Sequence, residues 1–279
     1  MTAPRAMVLV TGATDGIGKE TASELVRRGA DVIVHGRRDR QTSEVHRQLE
    51  ALAKRTMPAP VLADLASLAA VRTLAAELAM RAERPTVLLH NAGIFQRQRE
   101  ITADGFEKTM AVNHLAPFLL THLLLEEPRC AVTRIVLVSS MAHGRGAVDP
   151  DDPGLVRRPF DGYGHYGASK LANVLMARAL APRLAARKIT VNALHPGVVS
   201  TKLLTAGFGM RGSDTLEEAA ATSVLLAIDS SVAKVTGQYF AHGRSTQSSS
   251  AGQDLALAEA FYLASAAAVG VKPIPDGSA

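Results

Sequence analysis

Short apolar runs alternate with longer helical segments along this chain of 279 residues. The apolar runs predict strands at residues 7–10, 31–34, 59–62, 86–90, 134–138 and 189–194. Segments rich in Ala, Leu, Glu and Arg at helical spacing predict helices at residues 17–28, 40–54, 67–81, 106–125 and 166–186. This alternation predicts an α/β fold, a doubly wound parallel sheet with helices on both faces. Ligands of such sheets bind beyond the carboxyl ends of the strands.

Composition indicates one globular domain over residues 1–279. Hydrophobic residues make up 47% of the chain, enough for a core, and no change of composition marks a domain boundary. Clusters of Pro and Gly predict substrate loops at about 141–165 and 202–215. The apolar tail predicts a helix at about 253–270, which would pack on this chain or on a second subunit, with a membrane surface as a further alternative.

Charge and cysteine content exclude several classes of protein. The net charge is +5, but the basic residues are scattered among acids, so no nucleic-acid partner is predicted. A single cysteine, Cys130, excludes an internal disulfide and a cysteine-cluster metal site, and no metal is predicted. The apolar stretch 255–271 falls short of the ~20 residues that a membrane span needs. With no signal-peptide pattern at the start of the chain, these features predict a cytoplasmic protein.

A glycine-rich turn joins the first predicted strand to the first predicted helix. Its glycines, Gly12, Gly16 and Gly18, have no Cβ and let backbone N–H groups and the helix N-terminus approach an anion such as a diphosphate. A nucleoside-triphosphate P-loop is an alternative, but it needs Gly in place of Ala13 and Ser or Thr in place of Glu20. A turn with glycines chosen for shape alone is the other alternative.

Two arginines follow the second predicted strand, where an NAD enzyme would carry a ribose-binding carboxylate. Arg37 and Arg38 suit the extra 2′-phosphate of NADP, because a guanidinium group binds phosphate in a bidentate manner. Solvated loop arginines are the alternative, and Asp39 keeps NAD open. The pattern therefore favours NADP(H) over NAD(H).

Tyr166 and Lys170 are four residues apart near the start of a predicted helix, so both project from one face. An opposite charge within ~4–6 Å lowers a pKa by about 1–3 units, and we expect Lys170 to lower the pKa of Tyr166 in this way. A tyrosine tuned like this can act as a general acid or base. The same spacing occurs by chance in many helices, so the pair alone does not decide the function.

Further polar residues lie at or near the expected ligand edge of the sheet. Ser139 and Ser140 follow one predicted strand, the run Asn91-Ala92-Gly93 follows another, and Asn113 lies in a predicted helix. Each also has an ordinary structural interpretation as a cap, a turn or an asparagine bonded to the backbone. These interpretations do not explain why all of these motifs occur together in this order along one chain.

That order resembles the short-chain dehydrogenase/reductase family, and the resemblance runs from Val8 to about Phe240. The matching pieces are Thr11-Gly12-Ala13-Thr14-Asp15-Gly16-Ile17-Gly18, Asp64-Leu65, Asn91-Ala92-Gly93, Asn113, Ser139-Ser140, Tyr166 to Lys170, and His195-Pro196-Gly197 with Thr201. Pieces similar to the retinol-dehydrogenase-like subgroup include Val112-Asn113-His114-Leu115 and Ser139-Ser140-Met141-Ala142-His143. The resemblance implies a single Rossmann-type domain and homo-oligomers that pair through the helices after Phe106 and Tyr166.

The resemblance also implies a catalytic role for four residues. Tyr166 is expected to donate or accept the proton, and Lys170 to lower its pKa and hold the nicotinamide ribose. Ser140, rather than Ser139, is expected to hydrogen-bond the substrate oxygen. Asn113 is expected to bind a water in the proton relay.

The residues that the resemblance implies for cofactor binding surround the glycine turn and the strand ends. They are Gly12, Thr14, Asp15, Gly16, Ile17, Gly18, Arg37, Asp64, Leu65, Asn91, Ala92, Gly93, Tyr166, Lys170, Pro196, Gly197, Val199 and Thr201. Arg37 is expected at the 2′-phosphate, Asp64 and Leu65 at adenine, and Thr201 at the carboxamide.

Together these features predict an NADP(H)-dependent oxidoreductase that moves a hydride between nicotinamide and a carbonyl or alcohol carbon of a small molecule. A nucleotide-sugar epimerase or dehydratase is disfavoured because little chain follows Gly237. A non-catalytic NADP(H)-binding sensor or docking module is disfavoured because it needs no proton relay. For His143 and His165, contact with substrate and a plain loop role both stay open. A bulky apolar substrate is expected from the residues Met141, Leu155, Phe160, Leu203, Leu204, Phe208 and Met210.

Overall fold

The computed structural model describes residues 5–209 and 211–276. Within them, eight strands form one sheet in the order β3-β2-β1-β4-β5-β6-β7-β8. The strands are β1 (Met7–Val10), β2 (Asp31–Gly36), β3 (Val61–Leu62), β4 (Val87–His90), β5 (Arg134–Val138), β6 (Thr190–His195), β7 (Tyr239–Ala241) and β8 (Arg244–Thr246). Strands β1 to β7 pair in parallel, and β8 pairs antiparallel with β7.

Helices cover both faces of the sheet. They are α1 (Gly16–Arg27), α2 (Asp39–Ala53), α3 (Leu68–Met80), α4 (Lys108–Met110), α5 (Ala116–Glu126), α6 (Gly162–Leu184), α7 (Leu216–Ile228), α8 (Ser250–Gln253) and α9 (Leu255–Val269). One core lies between the sheet and α1, α2 and α7, and the other between the sheet and α3, α5, α6 and α9. The described part of the chain contains no helix whose length and apolarity would let it cross a bilayer.

The order of the strands fixes where a ligand can bind. The chain passes from β1 to β2 and β3 on one side, then returns to place β4 on the other side of β1. The loops after β1 and β4 therefore diverge and open a crevice at the carboxyl ends of these strands. The predicted single-domain α/β fold is thus confirmed.

Some boundaries differ from the predictions. Helix α6 begins at Gly162, so the last residues of the predicted loop 141–165 are helical. Asp161 explains this, because its carboxylate accepts the N–H groups of Tyr163 and Gly164 and caps the helix. The predicted helix 106–125 is interrupted by a π-helical turn, Ala111–Leu115. Helix α7 and strands β7 and β8 were not predicted.

The C-terminal helix α9 packs on α5 and α6 of the same chain. His114 and His122 hydrogen-bond Ser265 and Tyr262 of α9, and Arg183 of α6 forms a bidentate ion pair with its Glu259. The part of α5 and α6 that α9 covers is therefore already occupied, and the pairing of two subunits through these helices stays a prediction.

Candidate active site

A cavity of about 1380 Å³ opens at the carboxyl ends of β1, β4, β5 and β6. Its lining contains every residue predicted to bind the cofactor, together with Ser140. Asn113 is not part of the lining. Since pockets for single drug-sized ligands measure roughly 300–1,000 Å³, this cavity has room for a dinucleotide and a second ligand.

The glycine turn is held in one shape by its neighbours. Gly12 and Gly16 have positive φ angles of +66° and +53°, which glycine adopts without strain. Asn91 donates from its amide nitrogen to the Thr11 and Gly12 carbonyls at 2.9 and 3.2 Å. A Cβ at Gly18 would lie 2.3 Å from both the Asn91 amide nitrogen and the Gly12 oxygen. Glycine is therefore required there, and Asn91 acts by supporting the turn.

His35 is a second support that sequence reasoning missed. Its Nδ1 accepts the Gly12 N–H at 3.2 Å, and the residue is almost completely buried at the end of β2. Burial lowers the pKa of His35 to about 4, which keeps Nδ1 free to accept this bond at neutral pH. No motif marks this position, because the bond joins two separate strand ends.

The adenosine end of the cavity separates the two arginines. Arg37 lines the cavity together with Asp64 and Leu65, whereas Arg38 is not part of the lining. Asp39 begins α2 and is also outside the lining. Thus Arg37 lines the cavity, whereas Arg38 and the alternative carboxylate of Asp39 do not.

A segment after β6 extends over the glycine turn. Lys202, which the sequence did not single out, donates to Asp15 Oδ2 at 2.5 Å, while Asp15 Oδ1 accepts the Gly16 N–H at 2.9 Å. The hydrogen bond from Lys202 lowers the pKa of the Asp15 carboxyl. At the other end of the segment, Asp214 Oδ2 accepts the Val198 N–H at 2.6 Å. The segment is therefore bonded to the glycine turn through Lys202, and its own two ends are joined by the bond between Val198 and Asp214.

Tyr166, Lys170 and Ser140 meet inside the cavity. The Tyr166 phenol hydrogen-bonds the Ser140 side chain. The Lys170 ammonium donates to the Val138 carbonyl at 2.9 Å and lies 5.6 Å from the centre of the Tyr166 ring. Both Tyr166 and Lys170 are buried. The arrangement brings an acid or base, a hydroxyl and a cation to one point.

Burial reverses the expected pKa of the tyrosine. It raises the pKa of Tyr166 to about 12, against a smaller lowering by the hydrogen bond with Ser140. Burial also lowers the pKa of Lys170 to about 8. At neutral pH the phenol is therefore protonated and the lysine still carries most of its charge. The net direction of the Tyr166 pKa is thus opposite to the predicted one because burial is the largest effect, and the predicted contribution of Lys170 stays a prediction.

The two serines have different surroundings. Ser139 Oγ donates to the Lys170 carbonyl at 2.7 Å and is buried against α6. Ser140 Oγ accepts the Ala142 N–H at 3.2 Å, lines the cavity and is hydrogen-bonded with Tyr166. Both serines line the cavity, but the Ser139 hydroxyl is bonded to the Lys170 carbonyl of α6, whereas the Ser140 hydroxyl is bonded to the Tyr166 phenol.

Asn113 connects elements behind the cavity. Its Oδ1 accepts the Ile94 N–H at 2.8 Å, and its Nδ2 donates to Ser169 Oγ at 3.0 Å. Its main-chain oxygen accepts from Asn173 Nδ2 at 3.0 Å. The side chain thus ties the loop after β4 to helix α6, and the predicted role of Asn113 in holding a water stays a prediction.

The substrate side of the cavity is partly as expected. Met141, Leu203 and Leu204 line it, whereas Leu155 and Phe160 do not. Leu155 is buried in the core instead. The Phe208 side chain and Met210 lie outside the described residues. Unpredicted lining residues here include Tyr163 and Leu216.

The two histidines near the tyrosine do not line the cavity. His165 is buried and bonds the Asp161 carbonyl through Nδ1 at 2.8 Å. His143 bonds the Ser140 carbonyl. Neither side chain is part of the cavity lining. The residues that the structure describes also contain no group of three or more His, Cys, Asp or Glu side chains arranged for a metal ion.

The fold and the site together define a dinucleotide-binding oxidoreductase domain of the doubly wound class. Comparison with known proteins agrees, since the short chain dehydrogenase family matches residues 6–212. The chain belongs to this family. Human retinol dehydrogenase 13 is 38% identical in an alignment 289 residues long, which covers 97% of this chain and 86% of that protein.

Solved structures show the same relationship. An uncharacterized protein from Mycobacterium paratuberculosis has a TM-score of 0.78 and 31% identity, covering 98% of this chain and 96% of that one. A protein from Beutenbergia cavernae with bound NADP has a TM-score of 0.66 and 31% identity, covering 85% and 94%. The chain is thus an oxidoreductase of a family that binds a nicotinamide cofactor.

Proposed function

We propose that the protein is an NADP(H)-dependent carbonyl reductase or alcohol dehydrogenase that uses Tyr166 as its general acid and base. The observation that carries this proposal is the meeting of Tyr166, Ser140 and Lys170 in the cavity that the glycine turn also lines. When bound, the dinucleotide supplies or accepts the hydride. The chain would orient the substrate and manage the proton.

A protonated Tyr166 suits the reductive half of the proposed reaction. Because burial raises the pKa of Tyr166 to about 12, the phenol keeps its proton at neutral pH and is ready to donate it to a developing alkoxide. Ser140 shares a hydrogen bond with that phenol and would hold the substrate oxygen beside it. The Lys170 ammonium would stabilise the phenolate left behind.

The proposed preference for NADP(H) rests on Arg37. This arginine lines the cavity next to Asp64, and no carboxylate of the lining takes the place that would bind a ribose 2′-hydroxyl at the end of β2. A guanidinium group there supports binding of the 2′-phosphate of NADP(H). The NADP bound by the Beutenbergia cavernae protein is consistent with this assignment.

The substrate is expected to be a bulky apolar aldehyde or ketone. The cavity presents Met141, Tyr163 and Leu216 as exposed apolar side chains, and Leu203 and Leu204 continue this surface. Apolar surface with a few convergent polar groups is typical of small-molecule sites. The name of the retinol dehydrogenase relative makes retinal a natural probe for the assay.

The test is NADPH oxidation with retinal and a panel of apolar aldehydes and ketones. Tyr166→Phe should lower kcat at least about 100-fold, the range of a general acid, and leave NADPH binding nearly unchanged. Tyr163→Phe is the matched control, because Tyr163 lines the same cavity one helical turn away. A wild-type rate in the Tyr166→Phe variant would show that Tyr166 is not the general acid.

Two further expectations from the sequence belong to this proposal. We infer a homo-oligomer, which light scattering of the purified protein tests. We also infer a cytoplasmic enzyme, which fractionation of the cells that express it tests.

A further inference from the structure

His143 connects the candidate catalytic serine to a distant part of the chain. Its Nδ1 lies 2.7 Å from the Ser140 carbonyl oxygen, and its Nε2 lies 3.0 Å from the backbone nitrogen of Ser249. Ser249 precedes α8 and is 106 residues away along the chain. His143 is 6% exposed, and the Tyr239 ring packs against its imidazole with a centroid distance of 4.7 Å.

The Ser249 amide determines the tautomer of this histidine. A backbone N–H can only donate, so Nε2 must be the nitrogen without a proton. The proton of a neutral imidazole then sits on Nδ1, from which it is donated to the Ser140 carbonyl. Burial lowers the pKa of His143, which agrees with the neutral form.

The bond to the carbonyl acts directly on the geometry of the serine. Ser140 has an extended backbone, with φ −163° and ψ 158°, and ends the strand-to-turn transition after β5. Its carbonyl also accepts the His143 backbone N–H at 3.1 Å, and its Oγ accepts the Ala142 N–H. With the carbonyl and the hydroxyl both held, the Ser140 hydroxyl has a defined direction toward Tyr166.

We propose that His143 is a positioning residue for Ser140, and that the Ser249 amide keeps it in the tautomer that does so. The inference rests on the proposed function, because it matters only if Ser140 takes part in the reaction. It gives the segment before α8 a part in arranging the site without contact with the substrate.

The first test compares two replacements of the histidine. His143→Leu removes both bonds and should lower kcat about 10- to 100-fold, because a small displacement of an orienting group costs about this much. The KM for the carbonyl and the Kd for NADPH should change less than about threefold. His143→Asn places an amide N–H where Nδ1–H was, and it should recover most of kcat. Equal loss in both variants would indicate a merely structural role and overturn the proposal.

The second test removes the donor and leaves the histidine in place. Ser249 has φ −59°, which proline also adopts, so Ser249→Pro deletes the N–H with little strain at this residue. Ser249→Ala is the control, since it loses only the cap that Ser249 Oγ provides to the Gly252 N–H. Ser249→Pro should lower kcat several-fold below Ser249→Ala. Equal rates in these two variants would overturn the tautomer argument even if His143→Leu fails to fold.

A double-mutant cycle separates this inference from the proposed function. If His143 acts through Ser140, then His143→Leu should add little loss in a Ser140→Ala background. If each substitution instead lowers kcat by its own factor and the two factors multiply in the double variant, the inference is overturned and the proposed role of Ser140 stays intact. A Ser140→Ala enzyme with the wild-type rate would instead overturn that role, and the inference with it.

Discussion

Replacing Lys170 by methionine tests how the charge near Tyr166 contributes to the proposed reaction. The ammonium lies 5.6 Å from the centre of the Tyr166 ring. With an effective dielectric constant of about 20, its attraction for a phenolate at that distance is worth about 3 kcal/mol. Since about 1.4 kcal/mol is a factor of ten, Lys170→Met should lower kcat for carbonyl reduction about 100-fold at pH 7.

The pH dependence of the reduction rate is a second test of the role of the Lys170 charge. Burial lowers the pKa of Lys170 to about 8, so the wild-type enzyme loses this charge as the pH rises through 8. The rate of carbonyl reduction should therefore fall through that range. The Lys170→Met variant has no charge to lose and should show a low rate that does not fall near pH 8.

The assay is NADPH oxidation at saturating cofactor between pH 6 and 9, with the Kd for NADPH measured separately by fluorescence. Lys108→Met is the control, because Lys108 lines the same cavity but is paired with Glu100. The reasoning is refuted if Lys170→Met keeps the wild-type rate at pH 7. It is also refuted if that variant keeps the fall near pH 8.

Two further predictions concern the cofactor and the stability of the fold. Arg37→Asp should raise the Kd for NADP(H) about 10- to 100-fold, which is the contribution of a charge-assisted hydrogen bond, and should change the Kd for NAD(H) little. Arg38 is outside the cavity lining, so Arg38→Asp should leave both Kd values unchanged. Titration of each variant with both cofactors measures the Kd values. Equal increases in the Kd for NADP(H) and for NAD(H) in Arg37→Asp would contradict the prediction. Burial lowers the pKa of His35, His114 and His122 to about 4 and that of His90 to about 3, well below the usual value. The unfolded chain therefore binds more protons between pH 6.5 and 4, so the free energy of unfolding should fall by about 2 kcal/mol per histidine on acidification to pH 5. Urea unfolding at pH 7 and pH 5 measures this, and equal stabilities would contradict it.

The sequence predicted the part of the site that depends on local pattern. The alternation of strands and helices predicts a parallel sheet, and in such a sheet the residues that follow the strands lie at one edge. This was enough to place the glycine turn and the polar residues after the strands together. That is why Gly12, Asn91, Ser140 and Tyr166 could be assigned to one cavity before any contact was known. Helix α7 could also have been found, because Thr215 and Glu218 form a capping box before an alanine-rich run.

Other features depend on pairings that no local pattern records. Lys202 reaches Asp15 across 187 residues of sequence, and His35 supports Gly12 from a neighbouring strand. The pKa of Tyr166 was predicted in the wrong direction for a related reason. Spacing on a helix shows that Lys170 is near, but it does not show how deeply both groups are buried, and burial is the larger effect here.

The C-terminal part of the chain shows how such pairings bear on function. The family match ends at residue 212, yet Ser249 and Ser265 lie beyond it and bond side chains next to the candidate catalytic residues. Ser265 hydrogen-bonds His114, whose other ring nitrogen meets Asn173, and Asn173 donates to the Asn113 carbonyl. Together with the bond from Ser249 to His143, this makes two buried connections from the tail to the site. Buried polar groups that lose a partner cost about 1–3 kcal/mol each, so displacing α8 and α9 would destabilise the residues next to the candidate site. The tail therefore supports the candidate site through residues that lie beyond the family match.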